Sequence, residues 1–416
     1  MPSQLKVAVV GGGIAGIAAA HRLSAEHAVT LFEASDALGG HAHAETITVE
    51  NKHVTVDSAF LIFNTRTYPL FCSFLNEIGV SENIASAEMS SCFYSKDFSY
   101  SLGLPKSAIK VSPLQFLRPS FLSIFVDLWR FRRRAARDHK KLSSLKQQSI
   151  GAYLSRYGAP FREEFAYPLM AAIWSLPVEE VEKHPAGSIL SYFANHSLLE
   201  GKSDRQWQTF MGSSKTYVDE FIKRFRGEIR LSSPVEKISR TLDQCCLKSM
   251  HEELGIFDRV VIATHADVAL SLLDCPTESE KNLLGPWTYR SQKATLHQDA
   301  SVLHSDSKYW ASWNMQRKNK DYKISYYLNR LQKLPVETPV ILSLGEQPID
   351  RNLIFAEFNY RHPIFEKNSV SAQSFLPHLN RGITAFCGSY FGFGFHEDAF
   401  RSGVDAANSF SKSPFS

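Results

Sequence analysis

Val7-Ala-Val-Val-Gly11-Gly-Gly13-Ile-Ala-Gly16 opens the chain, and Val29-Thr-Leu-Phe-Glu33 and the doublet Gly39-Gly40 follow it. The pattern reads as a buried strand, a glycine turn, an Ala-rich helix and a second strand ending on an acid. Each part has a physical task in holding a dinucleotide. Gly11 permits the tight turn, Gly13 lets a pyrophosphate approach the backbone, and Gly16 lets helix and strand pack closely. The helix starting at Ile14 and Ala15 turns free N–H groups and its positive dipole end toward the phosphates. Glu33, with Ala34 beside it, stands about 20 residues beyond the fingerprint, where an acid accepts hydrogen bonds from an adenosine ribose. A glycine fingerprint alone is weak evidence. Strand, turn, helix, strand and acid in this order are strong.

The rest of the chain bounds what such a site serves. At 416 residues it exceeds one compact core and predicts two domains. A hydrophobic share of 44% and a charged share of 21% are those of an ordinary globular protein. The 46 basic and 42 acidic residues nearly cancel, so no nucleic-acid partner is expected. The six cysteines are scattered, without metal-type Cys-x-x-Cys pairs or a disulfide framework, which predicts a reducing, cytoplasmic setting. No signal peptide is expected, because the first strand begins almost at residue 1. No apolar run reaches the ~18 residues that span a bilayer. Neither a metal-ligand spacing nor a Ser/His/Asp nucleophile set is present, as expected where a cofactor carries the redox chemistry.

Along the chain, residues 5–80 form the dinucleotide unit, with 53–63 read as a strand running back toward the cofactor. From about 85 to 220 the pattern is mainly helical. Residues 229–262 read as a hairpin followed by a buried strand, and 293–328 as β-rich. Ile383-Thr-Ala-Phe-Cys387-Gly388 is another buried strand ending in glycine, after which a glycine- and Phe-rich turn opens a final helix. The expected architecture is α/β. A Rossmann-like FAD-binding domain of three segments (1–80, 225–280 and 380–416) would surround an inserted mixed α+β substrate domain (81–224 and 281–379).

The Gly39-Gly40 doublet after the acid resembles the FAD signature of glutathione-reductase-type flavoproteins. Glu33 argues against NADP, because a 2′-phosphate would meet a negative charge. Six blocks extend the resemblance nearly end to end: 39–43 (Gly-Gly-His-Ala-His), 56–64 (Val-Asp-Ser-Ala-Phe-Leu-Ile-Phe-Asn), 171–175, 263–267, 295–299 and 387–398. Together they are similar to the flavin-containing amine oxidase superfamily, in its subgroup of NAD/FAD-binding oxidoreductases. The resemblance implies non-covalent FAD and a substrate oxidised by hydride loss to flavin N5, with oxygen or an electron carrier as the final acceptor. Relatives in the superfamily include amine oxidases and carotenoid desaturases. Two departures stand out. Ser58-Ala59-Phe60 replaces the Thr-Gly-Phe of many relatives and would tighten the space beside the flavin at Phe60, and Gly388 is followed by Ser389 where many carry Asp.

Further candidates follow from position. Val235 sits where relatives hold the adenine with strand backbone, or is a plain buried valine. Phe395 and His396 begin a helix whose amino end would favour negative charge on a reduced flavin; capping by Glu397 and Asp398 is the alternative. His41 and His43 stand where an Arg is common, as pyrophosphate or flavin contacts or as loop residues. His265 and His297 read as hydrogen-bonded structural histidines. Lys293 stands just before a substrate-domain strand, in the region where the resemblance to amine oxidases implies a lysine that holds a water near N5, although relatives in the subgroup need not have one. Trp174 either walls a substrate cavity or packs in the core.

Residues 114–141 put Phe121, Leu122, Phe125, Leu128 and Trp129 on a helical stripe, followed by a run of Arg and Lys ending at Lys140 and Lys141. Such a segment is a core helix showing its arginines to water, or an interfacial helix in peripheral contact with an anionic membrane. The functional expectation is an FAD-dependent oxidoreductase taking a hydride from a C–H bond of an organic substrate. A hydrophobic or lipid-like substrate is preferred to an amine, with a flavin-binding partner protein without turnover as the reading from another class.

Overall fold

The computed structural model describes residues 4–104, 110–140, 145, 148–174, 176–195, 199, 206–318 and 321–411; Lys141 and Ser175 lie outside them. Strand β1 (Lys6–Val10) is buried from Val7 onward, because its Val/Ala run is covered on both faces. It pairs in parallel with β2 (Ala28–Phe32) on one side and with Arg259–Ile262 on the other. Glu228–Arg230 and Thr384–Phe386 complete the five-stranded parallel sheet at its two edges. Helix α1 (Ile14–Leu23) lies between this sheet and the terminal helix His396–Ser411. Small residues allow that sandwich. A Cβ on Gly16 would stand 1.8 Å from the Gly11 carbonyl oxygen, and one on Gly403 would stand 2.1 Å from that of Ala15.

The second layer is an eight-stranded sheet. From one edge it runs Ile354–Ile364, Thr288–His297, Ile341–Leu344, Asp321–Tyr327, Trp313–Lys318, Met89–Tyr94, Ser99–Leu104 and Lys110–Val111. Helices between residues 119 and 195 pack on it through an aromatic-rich core.

Three expectations are corrected here. Ile84–Ser86, Met89–Tyr94, Ser99–Leu104 and Lys110–Val111 are strands rather than the start of a helical region, and Met89–Tyr94 pairs in parallel with Trp313–Lys318. Glu228–Arg230 joins the parallel sheet beside β2 instead of forming a hairpin; the antiparallel strands are Lys237–Arg240, Cys245–Lys248 and Glu253–Phe257. The extended segment after Lys52–Asp57 leaves the strand at Ser58.

Helix α3 (Pro119–Asp138) begins with Pro at its first turn and buries Phe121, Ile124, Asp127, Phe131 and Ala135. The apolar stripe read from sequence splits: Phe121 is inside, whereas Leu122 and Trp129 are exposed. Among the described residues no helix is long and apolar enough to cross a membrane.

Candidate functional site

A cavity of about 700 Å³ lies where the carboxyl ends of the parallel strands face the eight-stranded sheet. That is where open α/β sheets take their ligands, since strand ends and helix amino ends converge there. At one end it is lined by Gly11, Gly13, Ile14, Ala15, Glu33, Ala34, Gly39, Gly40 and Val235.

The glycines divide the labour. Gly11 takes a φ of +106° at the turn, where a Cβ would stand 2.9 Å from the Ala263 oxygen. Gly13 has ordinary extended backbone, and its added Cβ would meet only the Gly40 Cα, at 4.0 Å. The space above Gly13 is therefore a cradle that a side chain would fill. Gly16 does not line the cavity; it serves the packing of α1. The doublet returns to the fingerprint, with the Gly39 N–H donating to the Gly12 oxygen at 2.9 Å. No side chain caps α1, which leaves its first N–H groups for a ligand. Glu33 accepts from the Gly12 N–H at 2.6 Å and from the Ser35 N–H and hydroxyl at 2.9 and 2.8 Å. A carboxylate has about four acceptor positions, so capacity for a ribose hydroxyl remains.

Midway along the cavity stand three imidazoles. His41 lies 6.3 Å from His265 and 5.2 Å from His362, ring centre to ring centre. Burial lowers the pKa of all three. His265 falls to about 4 and His362 to about 3, by burial first and then by the neighbouring rings. His41 Nε2 and His362 Nδ1 are sealed from solvent with no hydrogen-bond partner. Two buried polar atoms without partners at a cavity wall fit a polar ligand that would satisfy them. Next to them Tyr360 hydroxyl meets Ser58 Oγ at 2.5 Å and His43 Nδ1 at 3.0 Å. Burial pushes the Tyr360 phenol up to about 12.

The remaining candidates are distributed as follows. His396 lines the cavity, stacks on Phe60 at 3.8 Å and bonds the Tyr217 hydroxyl through Nε2 at 3.0 Å. Burial holds its pKa near about 3, so the ring is neutral. Phe395 stacks on Tyr192 at 4.5 Å, and Trp174 meets the same Tyr192 edge-on at 4.8 Å. Both line the cavity, as do Gly388 and Ser389. His43 stands behind the wall, bonded to Ser58 Oγ at 2.9 Å. His297 is a buried structural residue, its Nε2 on Ser343 Oγ at 2.8 Å. His265 is not: it lines the cavity, stacked on Tyr289 at 4.4 Å. Glu397 caps helix α2 (Pro69–Glu77) by accepting from Leu70 and Phe71, while Asp398 accepts from Phe393 and Phe395.

Lys293 is corrected. Gln292 and Ala294 line the cavity, and strand alternation turns Lys293 to the opposite face. There its Nζ pairs with Glu357 at 2.9 Å and with Glu346 at 3.5 Å. Sequence reasoning also missed Ser58, Tyr360 and His362 as a group. The spacing Phe358-x-Tyr360-x-His362 on one strand was the signal available.

Residues 14–325 match the sequence profile of the flavin containing amine oxidoreductases. The chain belongs to that family. It is a flavin-dependent oxidoreductase, which sets aside the reading of a binding partner without turnover. No curated protein sequence matches it. Among solved structures it is similar to a CLA-producing fatty acid isomerase from P. acnes, with 12% identity, 98% of each chain covered and a TM-score of 0.71. It is similar to cyclohexylamine oxidase from Brevibacterium oxydans, at 14% identity over 98% of this chain and 99% of that one, TM-score 0.69. Putrescine oxidase bound to putrescine gives 12% identity over 99% and 100%, TM-score 0.70. At such identities the likeness establishes the fold: a Rossmann-like dinucleotide domain joined to a substrate domain.

Proposed function

We propose that the enzyme holds FAD along the glycine cradle and oxidises a hydrophobic, lipid-like substrate at the far end of the cavity. The observation that carries the substrate reading is the character of that end. Leu61, Ile62, Leu169, Ile173, Trp313 and Tyr326 wall it together with Trp174 and Phe395. Among the described lining residues Glu33 is the only carboxylate, and it sits at the opposite end beside Ala34. An amine arrives as a cation, and desolvating an unpaired cation is expensive. Apolar chains gain about 0.8 kcal/mol per buried methylene instead. The fold alone does not choose, since its neighbours are named for a fatty acid and for amines; the apolar wall supports the lipid-like reading.

The same residues suit FAD rather than a nicotinamide nucleotide. Ile14 and Ala15 would take the pyrophosphate on their N–H groups, Glu33 the ribose, and Val235 the adenine through backbone. Bound FAD supplies a hydride acceptor, chemistry that no side chain of this cavity performs. The chain's own contribution is a set of neutral donors. His41, His265 and His362 stay uncharged at neutral pH because burial disfavours the imidazolium, so they donate hydrogen bonds without adding charge. The amino end of the terminal helix, lined by Gly394, Phe395 and His396, adds a dipole that favours negative charge.

Anaerobic mixing of the flavin-loaded enzyme with long-chain lipids and with primary amines tests the reading, followed by absorbance at about 450 nm. Bleaching by a lipid and by no amine is expected. Bleaching by amines alone refutes the substrate class.

A further inference from the structure

Residues 114–140 carry an apolar surface that the core does not use. Six of the fourteen large hydrophobic side chains exposed in the described structure fall here: Leu114, Phe116, Leu117, Leu122, Val126 and Trp129, 45 to 78% open to solvent. Leu122, Val126 and Trp129 recur at helical spacing and form one stripe on α3. With 3.6 residues per turn, it lies about 150° around the helix from the buried Phe121, Ile124, Phe131 and Ala135. The helix therefore has two apolar faces, and only one is packed.

The outward face becomes basic toward its carboxyl end, where Arg133, Arg137 and Lys140 continue the stripe. The Arg133 guanidinium sits 4.7 Å over the Trp129 ring, and Arg137 Nε donates to the Arg133 carbonyl at 3.3 Å. Among the described residues no carboxylate pairs with these three. The two acids of the helix are engaged elsewhere: Asp127 is buried on Arg130 and the Gly158 N–H, and Asp138 faces Arg134 and the Tyr153 hydroxyl.

We propose that this face docks the enzyme on an anionic lipid bilayer, its stripe entering the acyl boundary and its basic end meeting headgroup phosphates. Charge selects that occupant. Each basic residue gains from a negatively charged leaflet, whereas a second copy of the face offers no free carboxylate and an uncharged apolar partner leaves the cations unmatched. The packed side of the same helix leads toward the cavity: Phe131 lies 6.2 Å from Phe193, and Phe193 6.2 Å from the cavity residue Trp174. The inference stands on the surface alone and does not depend on the substrate class proposed above.

The test is co-sedimentation of the flavin-loaded full chain with phosphatidylcholine vesicles containing about a third phosphatidylserine, and with pure phosphatidylcholine. Binding at least about tenfold tighter to the anionic vesicles is expected, falling steeply by about 1 M salt, where the Debye length shrinks to about 3 Å. The variant Leu117→Asp/Leu122→Asp/Val126→Asp changes only exposed positions, so it keeps flavin absorbance and Tm while its vesicle binding falls more than about tenfold. Arg133→Glu/Arg137→Glu abolishes the preference for anionic lipid. Failure to bind at low salt overturns the proposal, as does equal binding to both vesicles or full binding by the triple-Asp variant. So does sedimentation equilibrium showing a dimer that the triple-Asp variant dissolves, which makes the face a contact between copies.

Discussion

Two glycines of one fingerprint are predicted to fail in opposite ways. Gly13→Val places a side chain where backbone φ of −71° and ψ of 178° suit any residue, and where its Cβ meets nothing nearer than the Gly40 Cα at 4.0 Å. The fold therefore loses no more than about 1 kcal/mol, the range of an N-cap change. The same side chain fills the cradle above the α1 amino end. Overpacking costs about 1–3 kcal/mol, and a displaced phosphate forfeits charge-assisted hydrogen bonds of about 1.5–3 kcal/mol each. A loss near 4 kcal/mol corresponds to roughly a thousandfold weaker flavin binding. Gly16→Ala does the reverse. Its Cβ would stand 1.8 Å from the Gly11 oxygen, so β1 or α1 must move, at about 3 kcal/mol or more. The assay is flavin content after gel filtration, set beside thermal melts of the flavin-stripped proteins. Gly13→Val should melt near the parent and emerge colourless, and Gly16→Ala should melt early. Full flavin occupancy in Gly13→Val, or equal melts for both variants, refutes the reasoning.

Other perturbations follow from the same geometry. Lys293→Met removes an ion pair on the outer face, so the rate of anaerobic flavin reduction should stay within about twofold of the parent; a drop beyond about a hundredfold, the scale of a lost proton-transfer group, would place Lys293 in the chemistry. Ser58→Ala breaks the contacts to Tyr360 and His43, leaving the partly buried Tyr360 hydroxyl with fewer partners; a stability loss of about 1–3 kcal/mol is expected in a denaturant titration, and none would contradict the network. Acid should destabilise the enzyme. Burial lowers His184, His265 and His297 to about 4 and His362 and His396 to about 3, so the unfolded chain binds more protons below its pKa of 6.5. Their stabilisation is complete above about pH 6.5 and is lost as pH falls toward 3–4. Asp57 and Asp398, raised by burial to about 7 and about 6, act with the opposite sign but are outnumbered. Tm measured between pH 7 and 4 should therefore fall; a flat or rising Tm counts against neutral buried imidazoles.

What could be read in advance was what local chemistry encodes. The βαβ unit was legible because turn, phosphate approach and helix packing each demand glycine at a fixed position, and the acid closes the pattern. The strand before Gly388 was legible because it is short, apolar and ends in glycine. Residues 89–104 were not, because Ser, Cys and Tyr carry no firm periodicity and their partner strand lies more than 200 residues downstream. On α3 both faces are apolar, and composition cannot say which one the core takes. Lys293 turned outward because pairing with Ile354–Ile364 sets the register, and a shift of one residue exchanges the faces. Ser58, Tyr360 and His362 meet across some 300 residues, a proximity that only the fold creates.

The most direct test is chemical analysis of the purified chain. Acid-released cofactor should prove to be FAD, in near-stoichiometric amount, from a yellow protein absorbing at about 450 nm. A folded, colourless protein that takes up no added FAD would contradict the cradle and everything built on it.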